Sequence, residues 1–175
     1  MPALRRLIVL LTCVVAFTAG TLSPASAAGN DYPWRLDTTQ TADPWGFTKR
    51  QCVSWVAFRM SQRGVILNNW RHHWGSADNW DNAARRMNHG IGPKPVIGAI
   101  AHWNAGERAA WYANGSSTAN GTLTAGPAGH VGYVQGVYPD GSAVVTQYNL
   151  SGTRGYSIVR VRAPRYLYVS VPAPR

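Results

Sequence analysis

The sequence predicts one α+β domain in which helices come before an antiparallel sheet. Apolar residues that follow Cys52 recur at helical spacing and stop at Gly64, which indicates a helix. From Val96 onward the apolar period changes to two, which is typical of strands. Asp140 and Gly141 form a two-residue turn signal between two such runs. Grouped helices followed by a meander of strands favour the α+β class.

Residues 1–27 have the pattern of a secretion signal. Arg5 and Arg6 precede an apolar run over residues 7–19, and small residues at 25–27 mark a cleavage site. This run is too short to span a bilayer, and no later stretch is apolar enough to be a transmembrane segment. We expect an exported protein whose mature chain of about 148 residues forms one domain. Its expected parts are a leader arm over residues 28–42 and a folded domain over residues 43–175.

The chain is strongly basic, with 17 Lys and Arg against 7 Asp and Glu and a net charge of +10. Removal of the predicted signal leaves a net charge of about +8. Such a balance implies an anionic partner, and for an exported protein a cell-wall polymer or anionic lipid headgroups are expected instead of nucleic acid. The alternative is a basic surface with no specific partner. We expect a monomer.

The individual elements follow from local signals. Thr48 and Gln51 fit a capping box that would begin the first helix ahead of Cys52. A polar, aromatic loop is expected over residues 68–75, and a second helix from Ser76 to a stop at Gly90. Strands are expected over residues 96–103, 130–138, 142–149, 156–161 and 166–171. Residues 104–129, which are small, polar and without a period, are expected to form a long loop that is functional or mobile.

Cys52 is the one cysteine expected in the mature chain, because Cys13 lies inside the signal. In an exported chain such a thiol is buried filler, an intermolecular link or a nucleophile. The N-terminus of a helix stabilises an anion, and Lys49 and Arg50 add positive charge beside it. The sequence therefore predicts a lowered thiol pKa.

A thiolate needs a base, and His130 is the best candidate because it stands at the start of a strand directly after the long loop. A structural role for His130 is the open alternative. The other four histidines lie in a solvated loop, at a helix C-terminus or within a strand, where structural roles are expected; they are His72, His73, His89 and His102.

The register of the predicted hairpin indicates which group would orient His130. With a two-residue turn, His130 shares a sheet face with Gln147 and Asn149. Asn149 is then the nearer, and Gln147 needs a bulge or strong twist to come within reach. A three-residue turn would instead place His130 with Tyr148 and Leu150. An amide oxygen that accepts from the ring N–H fixes the tautomer, so Gln147 and Asn149 are both candidates.

Successive blocks of the sequence resemble the CHAP domain, the cysteine- and histidine-dependent amidohydrolase/peptidase. The blocks lie at residues 50–55, 78–83, 95–103, 129–131, 140–141 and 147–149 and read RQCVSW, DNWDNA, PVIGAIAHW, GHV, DG and QYN. The resemblance covers roughly residues 43–170. It implies a papain-like α+β fold and a catalytic domain over residues 43–175, with Cys52 as nucleophile and His130 as base. It also implies cleavage of peptidoglycan amide bonds, by an endopeptidase or an N-acetylmuramoyl-L-alanine amidase reaction.

The chain departs from the family pattern in two places. Many members carry Glu where this chain has Gln147, and an uncharged amide stabilises an imidazolium less. Some phage-derived members bind calcium through several aspartates around the cysteine. Here Asp43 stands in that region, with Trp45 and Ser54 where further ligands are expected. We expect no calcium, no other metal and no cofactor.

The expected chemistry is acyl transfer through a thioester on Cys52. The backbone N–H of Cys52 and the side chain of Gln51 are the candidate oxyanion donors. Two other functions compete, namely a wall-binding module that does not cut and a secreted basic antibacterial toxin. Four tryptophans are candidates for lining a groove for glycan or stem peptide, with the hydrophobic core as the alternative place for each: Trp45, Trp74, Trp103 and Trp111.

Overall fold

The computed structural model describes residues 29–113, 116 and 118–174, so the predicted secretion signal lies outside the described residues. The helices of this part come ahead of the sheet along the chain. They are α1 (Cys52–Ser61), α2 (Asn69–His72) and α3 (Trp80–Arg86), with a 3-10 turn at Ala77–Asn79 leading into α3. In the part of the chain that the structure describes, every helix falls short of the length and apolarity needed to cross a membrane.

One antiparallel sheet of eight strands dominates the fold and curls around its own inner face. The spatial order is β1-β8-β2-β5-β6-β7-β3-β4, and every neighbouring pair is antiparallel. The strands are β1 (Gly90–Gly92), β2 (Ile100–Trp103), β3 (Arg108–Tyr112), β4 (Gly121–Thr124), β5 (His130–Val137), β6 (Ala143–Tyr148), β7 (Tyr156–Arg162) and β8 (Arg165–Tyr168). Helices ahead of an antiparallel sheet confirm the coarse prediction, but the sheet carries more of the fold than expected.

The expectation of one uninterrupted loop over residues 104–129 is wrong, because β3 and β4 lie within it. β3 pairs with β4 on one side and with β7, some fifty residues away along the chain, on the other. Small residues such as Ala109 and Ala110 give no clear hydrophobic period. Pairing with distant strands, which a local pattern does not report, makes this segment a strand.

The second predicted helix is shorter than expected. Its α-helical part ends at Arg86, and Gly90 begins β1, which pairs with β8. A glycine without a side chain to pack is a poor helix residue, and the free strand edge of β8 takes it up instead. The loop expected over residues 68–75 contains the single turn of α2.

The core has one cluster on each side of the sheet. On one side α1 packs through Trp55 and Val56 against Tyr133 and Tyr148 of the central strands. The predicted leader arm joins this cluster, because Tyr32 is fully buried with its ring centroid 5.9 Å from that of Trp55 and 4.9 Å from that of Tyr148. The other cluster lines the inner face with small and branched side chains, including Ala101, Val134, Val145 and Val161. Helix α1 is therefore held by its own contacts with the sheet and by the contact of Tyr32 in the arm with Trp55.

Candidate active site

Cys52 is the first residue of α1. Gln51 is the N-cap, with extended backbone angles and no side-chain capping bond, so the predicted capping box of Thr48 and Gln51 is wrong. The reason lies one residue earlier, where Arg50 has a φ of +59°. The backbone N–H of Arg50 donates to the Tyr32 hydroxyl at 3.0 Å, which holds this left-handed turn in place. The turn delivers Cys52 to the very start of the helix.

The thiol of Cys52 is buried, with 9% of the residue exposed. Burial raises the pKa of the thiol to about 11, although the backbone amides of Val131, Val53 and Cys52 itself act in the opposite direction. The predicted lowering of this pKa is therefore wrong. Lys49 is engaged with Asp37 at 2.9 Å, and the Arg50 Nε donates to a backbone carbonyl, so neither charge stabilises a thiolate. Desolvation outweighs the helix N-terminus.

His130 is the first residue of β5 and is 4% exposed. Its Nε2 lies 2.7 Å from Oε1 of Gln147, while the Gln147 Nε2 donates to the Ser157 hydroxyl at 3.4 Å. Since an amide oxygen only accepts, Nε2 of His130 carries the proton and Nδ1 is the unprotonated nitrogen. Burial lowers the pKa of His130 to about 4, and the hydrogen bond that His130 donates to Gln147 offsets this in part. The imidazole is a neutral base with a fixed tautomer.

The hairpin that brings His130 and Gln147 together differs from the predicted one in two ways that cancel. Its turn has three residues instead of two, since the Tyr138 N–H donates to the Ser142 carbonyl at 2.8 Å. By itself this would move Gln147 to the opposite face. A β-bulge between Val134 and Gly136 shifts the register by one residue and restores the alternation. The shared face of His130 and Gln147 is thus correct, although the predicted pairing is not.

Gln147, and not the nearer candidate Asn149, reaches His130. Gly132 is the next residue after His130 on the same face of β5. A Cβ there would stand 2.3 Å from Cγ1 of Val145 and 3.5 Å from Cβ of Gln147. The missing side chain makes room for Val145, whereas the contact with Gln147 would be an ordinary one.

Asn149 lies just beyond the end of β6 with a φ of +60°, so the alternation of side chains no longer applies to it. Its Nδ2 donates to Oε1 of Gln51 at 2.6 Å, and its Oδ1 accepts from the Arg154 N–H at 2.8 Å. The amide of Asn149 therefore holds Gln51 in place. With Oε1 of Gln51 occupied, the NH₂ group of Gln51 is the half of the side chain able to donate to a ligand.

A groove of about 720 Å³ brings the predicted residues together. Cys52, Gln51, His130 and Asn149 all line it, and Gln147 lies fully buried behind His130. The wall beside His130 is formed by residues 125–129, which were predicted only as part of a loop. The glycine before His130 was the one sequence feature that could have indicated a tightly packed wall. In the structure a Cβ on Gly129 would lie 2.5 Å from the backbone nitrogen of Asp78. The other wall comes from residues 46–48, 69 and 75–77.

The chain matches the CHAP domain over residues 42–149. It belongs to the CHAP domain family. Among its relatives, N-acetylmuramoyl-L-alanine amidase sle1 of Staphylococcus haemolyticus is 30% identical over 138 residues, which are 79% of this chain and 34% of the relative. The sle1 amidase of Staphylococcus aureus strain bovine RF122 / ET3-1 is 28% identical over 149 residues, 85% of this chain and 36% of that protein.

A crystal structure of an N-acetylmuramoyl-L-alanine amidase from Staphylococcus aureus has the same fold, with a TM-score of 0.54 and 25% identity. The match covers 73% of this chain and 33% of that one. This CHAP domain protein thus spans about a third of the length of the relatives that it matches.

The four candidate tryptophans of this CHAP domain lie away from the groove lining. Trp74 and Trp103 are 1% and 2% exposed, which corrects the expectation that they line a groove. Trp103 packs beside His130 with the ring centroids 5.7 Å apart. Trp45 is half-buried against Trp34, and Trp111 covers Gly121 on the neighbouring strand. A tryptophan buries a large apolar area, and small neighbouring residues leave room for it in the core, so core packing is favoured over an exposed position.

Asp43 holds a turn together in this CHAP domain. Its carboxylate accepts from the N–H groups of Trp45 at 2.8 Å and Phe47 at 2.9 Å and from the Ser54 hydroxyl at 2.5 Å. Burial raises the pKa of Asp43. Within residues 29–113, 116 and 118–174, no three His, Cys, Asp or Glu side chains form a group able to hold a metal ion. These hydrogen bonds of Asp43 fix the turn that forms one wall of the groove.

Proposed function

We propose that this CHAP domain hydrolyses an amide bond of bacterial peptidoglycan, with Cys52 as nucleophile and His130 as base. The observation that supports this most is the shared groove, in which a thiol at the start of α1 and a tautomer-fixed imidazole stand together. The names of the matching relatives, which are N-acetylmuramoyl-L-alanine amidases, support an amide as the bond that is cut. Cleavage within the stem peptide is the other form of the same reaction.

The resting pair in this proposal is a neutral thiol and a neutral imidazole, given pKa values of about 11 for Cys52 and about 4 for His130. Nδ1 of His130 accepts the thiol proton while the sulfur attacks the amide carbon. The imidazolium then gives that proton to the leaving nitrogen, and the carbon–nitrogen bond breaks to leave a thioester on Cys52. Water attacks the thioester as Nδ1 takes its proton, which releases the acid and restores the thiol.

The oxyanion donors in this proposal are the backbone N–H of Cys52 and the NH₂ group of Gln51. Both belong to the start of α1, where backbone N–H groups have no partner within the helix. Asn149 holds the acceptor end of Gln51 at 2.6 Å and so orients the donor end before substrate arrives. A donor fixed in advance is worth more to the transition state than a mobile one.

We also propose a papain-like fold, secretion and association with the cell wall as a monomer. The first is supported by a cysteine at the start of a helix that packs on an antiparallel sheet carrying the histidine. The second is supported by the signal-like pattern of residues 1–27 and the third by the net charge of about +8 that remains when Arg5 and Arg6 are removed with it. An anionic wall polymer suits such a charge.

Binding of the wall without cleavage is a second candidate, favoured by the neutral pair and by the uncharged Gln147 beside His130. The two are separated by digesting purified peptidoglycan and identifying the new end groups. A free lactyl group on muramic acid indicates the amidase reaction, and a new N-terminus within the stem peptide indicates an endopeptidase. If sedimentation shows the protein bound to the wall while no new ends form, the binding module is correct. A secreted antibacterial toxin would differ in the cells whose walls it clears.

A further inference from the structure

Trp70 is the exposed aromatic side chain of the described residues. It is 66% exposed, whereas the remaining tryptophans, tyrosines and phenylalanines of that part of the chain are buried or half-buried. It lies in α2, a single turn with no buried residue. Single exposed apolar side chains are common on protein surfaces, so the case for Trp70 depends on the contacts that hold its ring.

The indole of Trp70 rests with one face on the backbone of Gly46. A Cβ on Gly46 would lie 2.7, 2.8 and 2.9 Å from Cε2, Nε1 and Cδ2 of the indole. Three atoms around the ring fusion at nearly equal distance place the glycine beneath the ring face, not at its edge. Gly46 also has a φ of +87°, so both its conformation and its lack of a side chain suit this contact.

The surroundings keep this arrangement rigid. Asn69, the neighbour of Trp70, donates from Nδ2 to the Gly46 carbonyl at 3.0 Å and accepts the Gly75 N–H at Oδ1 at 2.8 Å. Below the ring, the Gly46 N–H donates to the Asp43 carbonyl at 3.1 Å. The indole is therefore supported on one face and free to contact a ligand on the other.

The same residues connect Trp70 to the groove of Cys52. Gly46 and Asn69, which hold the indole from below and beside it, both line the groove wall. Gly75, which Asn69 ties to them, lines it as well. Trp70 is not itself one of the lining residues, and its contact with Gly46 places it at the outer edge, or rim, of the cavity that contains Cys52 and His130.

We propose that Trp70 is a stacking surface for a sugar ring of the substrate, an N-acetylated hexosamine of the glycan strand. This rests on the proposed function and identifies the part of the substrate that the rim binds. The C–H face of a pyranose is apolar and weakly positive and complements the negative face of an indole, while the sugar hydroxyls remain in water at an open rim. The sugar of an N-acetylmuramoyl peptide lies next to the first amide of the stem, so a sugar on the rim places that amide in the groove.

Kinetics with two matched substrates test this assignment. One is a muramoyl peptide that carries its sugar, and the other is the same peptide with a lactyl group and no sugar. Trp70→Ala is expected to raise KM for the first substrate about tenfold, with kcat retained, and to leave the second unchanged. Trp70→Phe keeps a smaller ring and should recover part of the loss. The control is Ile66→Ala, which removes an apolar side chain that is 55% exposed and lies outside the groove lining.

Equal effects of Trp70→Ala on both substrates, or no effect on either, would overturn the assignment. Calorimetric titration of the sugar-bearing muramoyl peptide into Cys52→Ala, with and without Trp70→Ala, measures binding of the sugar without any cleavage. Binding that weakens about tenfold without Trp70 supports the sugar platform even if the wild type cuts nothing, in which case only the proposed reaction fails. Binding that is unchanged rejects the platform even if the wild type is an active hydrolase.

Discussion

Replacing Gln147 with Glu changes the charge next to His130 with little change in shape. Oε1 of Gln147 lies 2.7 Å from Nε2 of His130, so a carboxylate in its place would have its charge centre about 4 Å from that of an imidazolium. At an effective dielectric constant of about 20, this attraction is about 4 kcal/mol, or roughly 3 pKa units. The position is fully buried, and the cost of desolvating the carboxylate offsets part of the gain. We expect the pKa of His130 to rise from about 4 by about 1 to 3 units.

The pH dependence of kcat/KM measures this change, because it reports the ionisation of groups in the free enzyme. The proposed mechanism requires a deprotonated Nδ1, so we expect activity to fall as the pH drops through the pKa of His130. The acid limb is expected near pH 4 in the wild type and about 1 to 3 units higher in Gln147→Glu. Gln147→Ala is the matched control, since loss of the hydrogen bond removes the contribution that raises this pKa and should leave the limb at or below its wild-type position.

An acid limb that stays in place in Gln147→Glu would refute the claim that the residue at position 147 sets the pKa of His130 through their contact. Titration of the His130 ring protons by nuclear magnetic resonance checks the same pKa without substrate.

Three further changes follow from the contacts described. Asn149→Ala removes the donor that holds Gln51, so kcat should fall about tenfold while the acid limb of kcat/KM stays in place; a moved limb would show that Asn149 acts on His130 instead. Tyr32→Phe keeps the buried ring but removes the hydroxyl that contacts Ser54 at 2.6 Å, and urea unfolding should show a loss of about 1 to 2 kcal/mol; a loss below a few tenths would contradict this. Burial lowers the pKa of His130 from 6.5 to about 4, so between these two pH values the unfolded chain binds a proton that the folded chain does not. The free energy of unfolding should therefore fall by about 3 kcal/mol as the pH drops from above 6.5 to 4. His130→Gln should lose that much less stability over the same range, measured by urea unfolding at both pH values.

The sequence predicted the places of Cys52 and His130 in the fold better than the contacts around them. Cys52 at a helix start and His130 at a strand start could be located because helix and strand periods and turn residues are local signals. The capping box failed because a contact from the arm, Tyr32 to Arg50, sets where α1 begins. No local pattern around residue 48 contains that contact.

The alternation of side chains along a strand was not enough to predict the partner of His130, because the register also depends on the turn and on a bulge. The face shared with Gln147 was predicted correctly only because an unforeseen bulge offset an unforeseen third turn residue. The role of Asn149 was missed because its left-handed backbone ends the alternation that was used to place it. The thiol pKa was predicted in the wrong direction because burial, which depends on the whole fold, outweighs the local helix terminus at Cys52.

Aromatic residues show the same limit. Trp74 and Trp103 stand in polar or strand segments that left a groove position open, yet both fill the core. The position of Trp70 could not be predicted from the sequence, because it depends on a contact with Gly46, more than twenty residues away along the chain. Composition shows that the chain is rich in tryptophan, and tertiary packing decides which of these side chains stays exposed.

The most direct test of the central claim is the rate at which Cys52→Ala releases amide-bond fragments from purified peptidoglycan, compared with the wild type at equal concentration. Thermal unfolding of both proteins verifies that the variant is folded. Since the proposed thioester forms on this sulfur, we expect the rate to fall by about a thousandfold or more, while binding to the wall is retained. Cleavage by Cys52→Ala at the wild-type rate would contradict the assignment of Cys52 as the nucleophile.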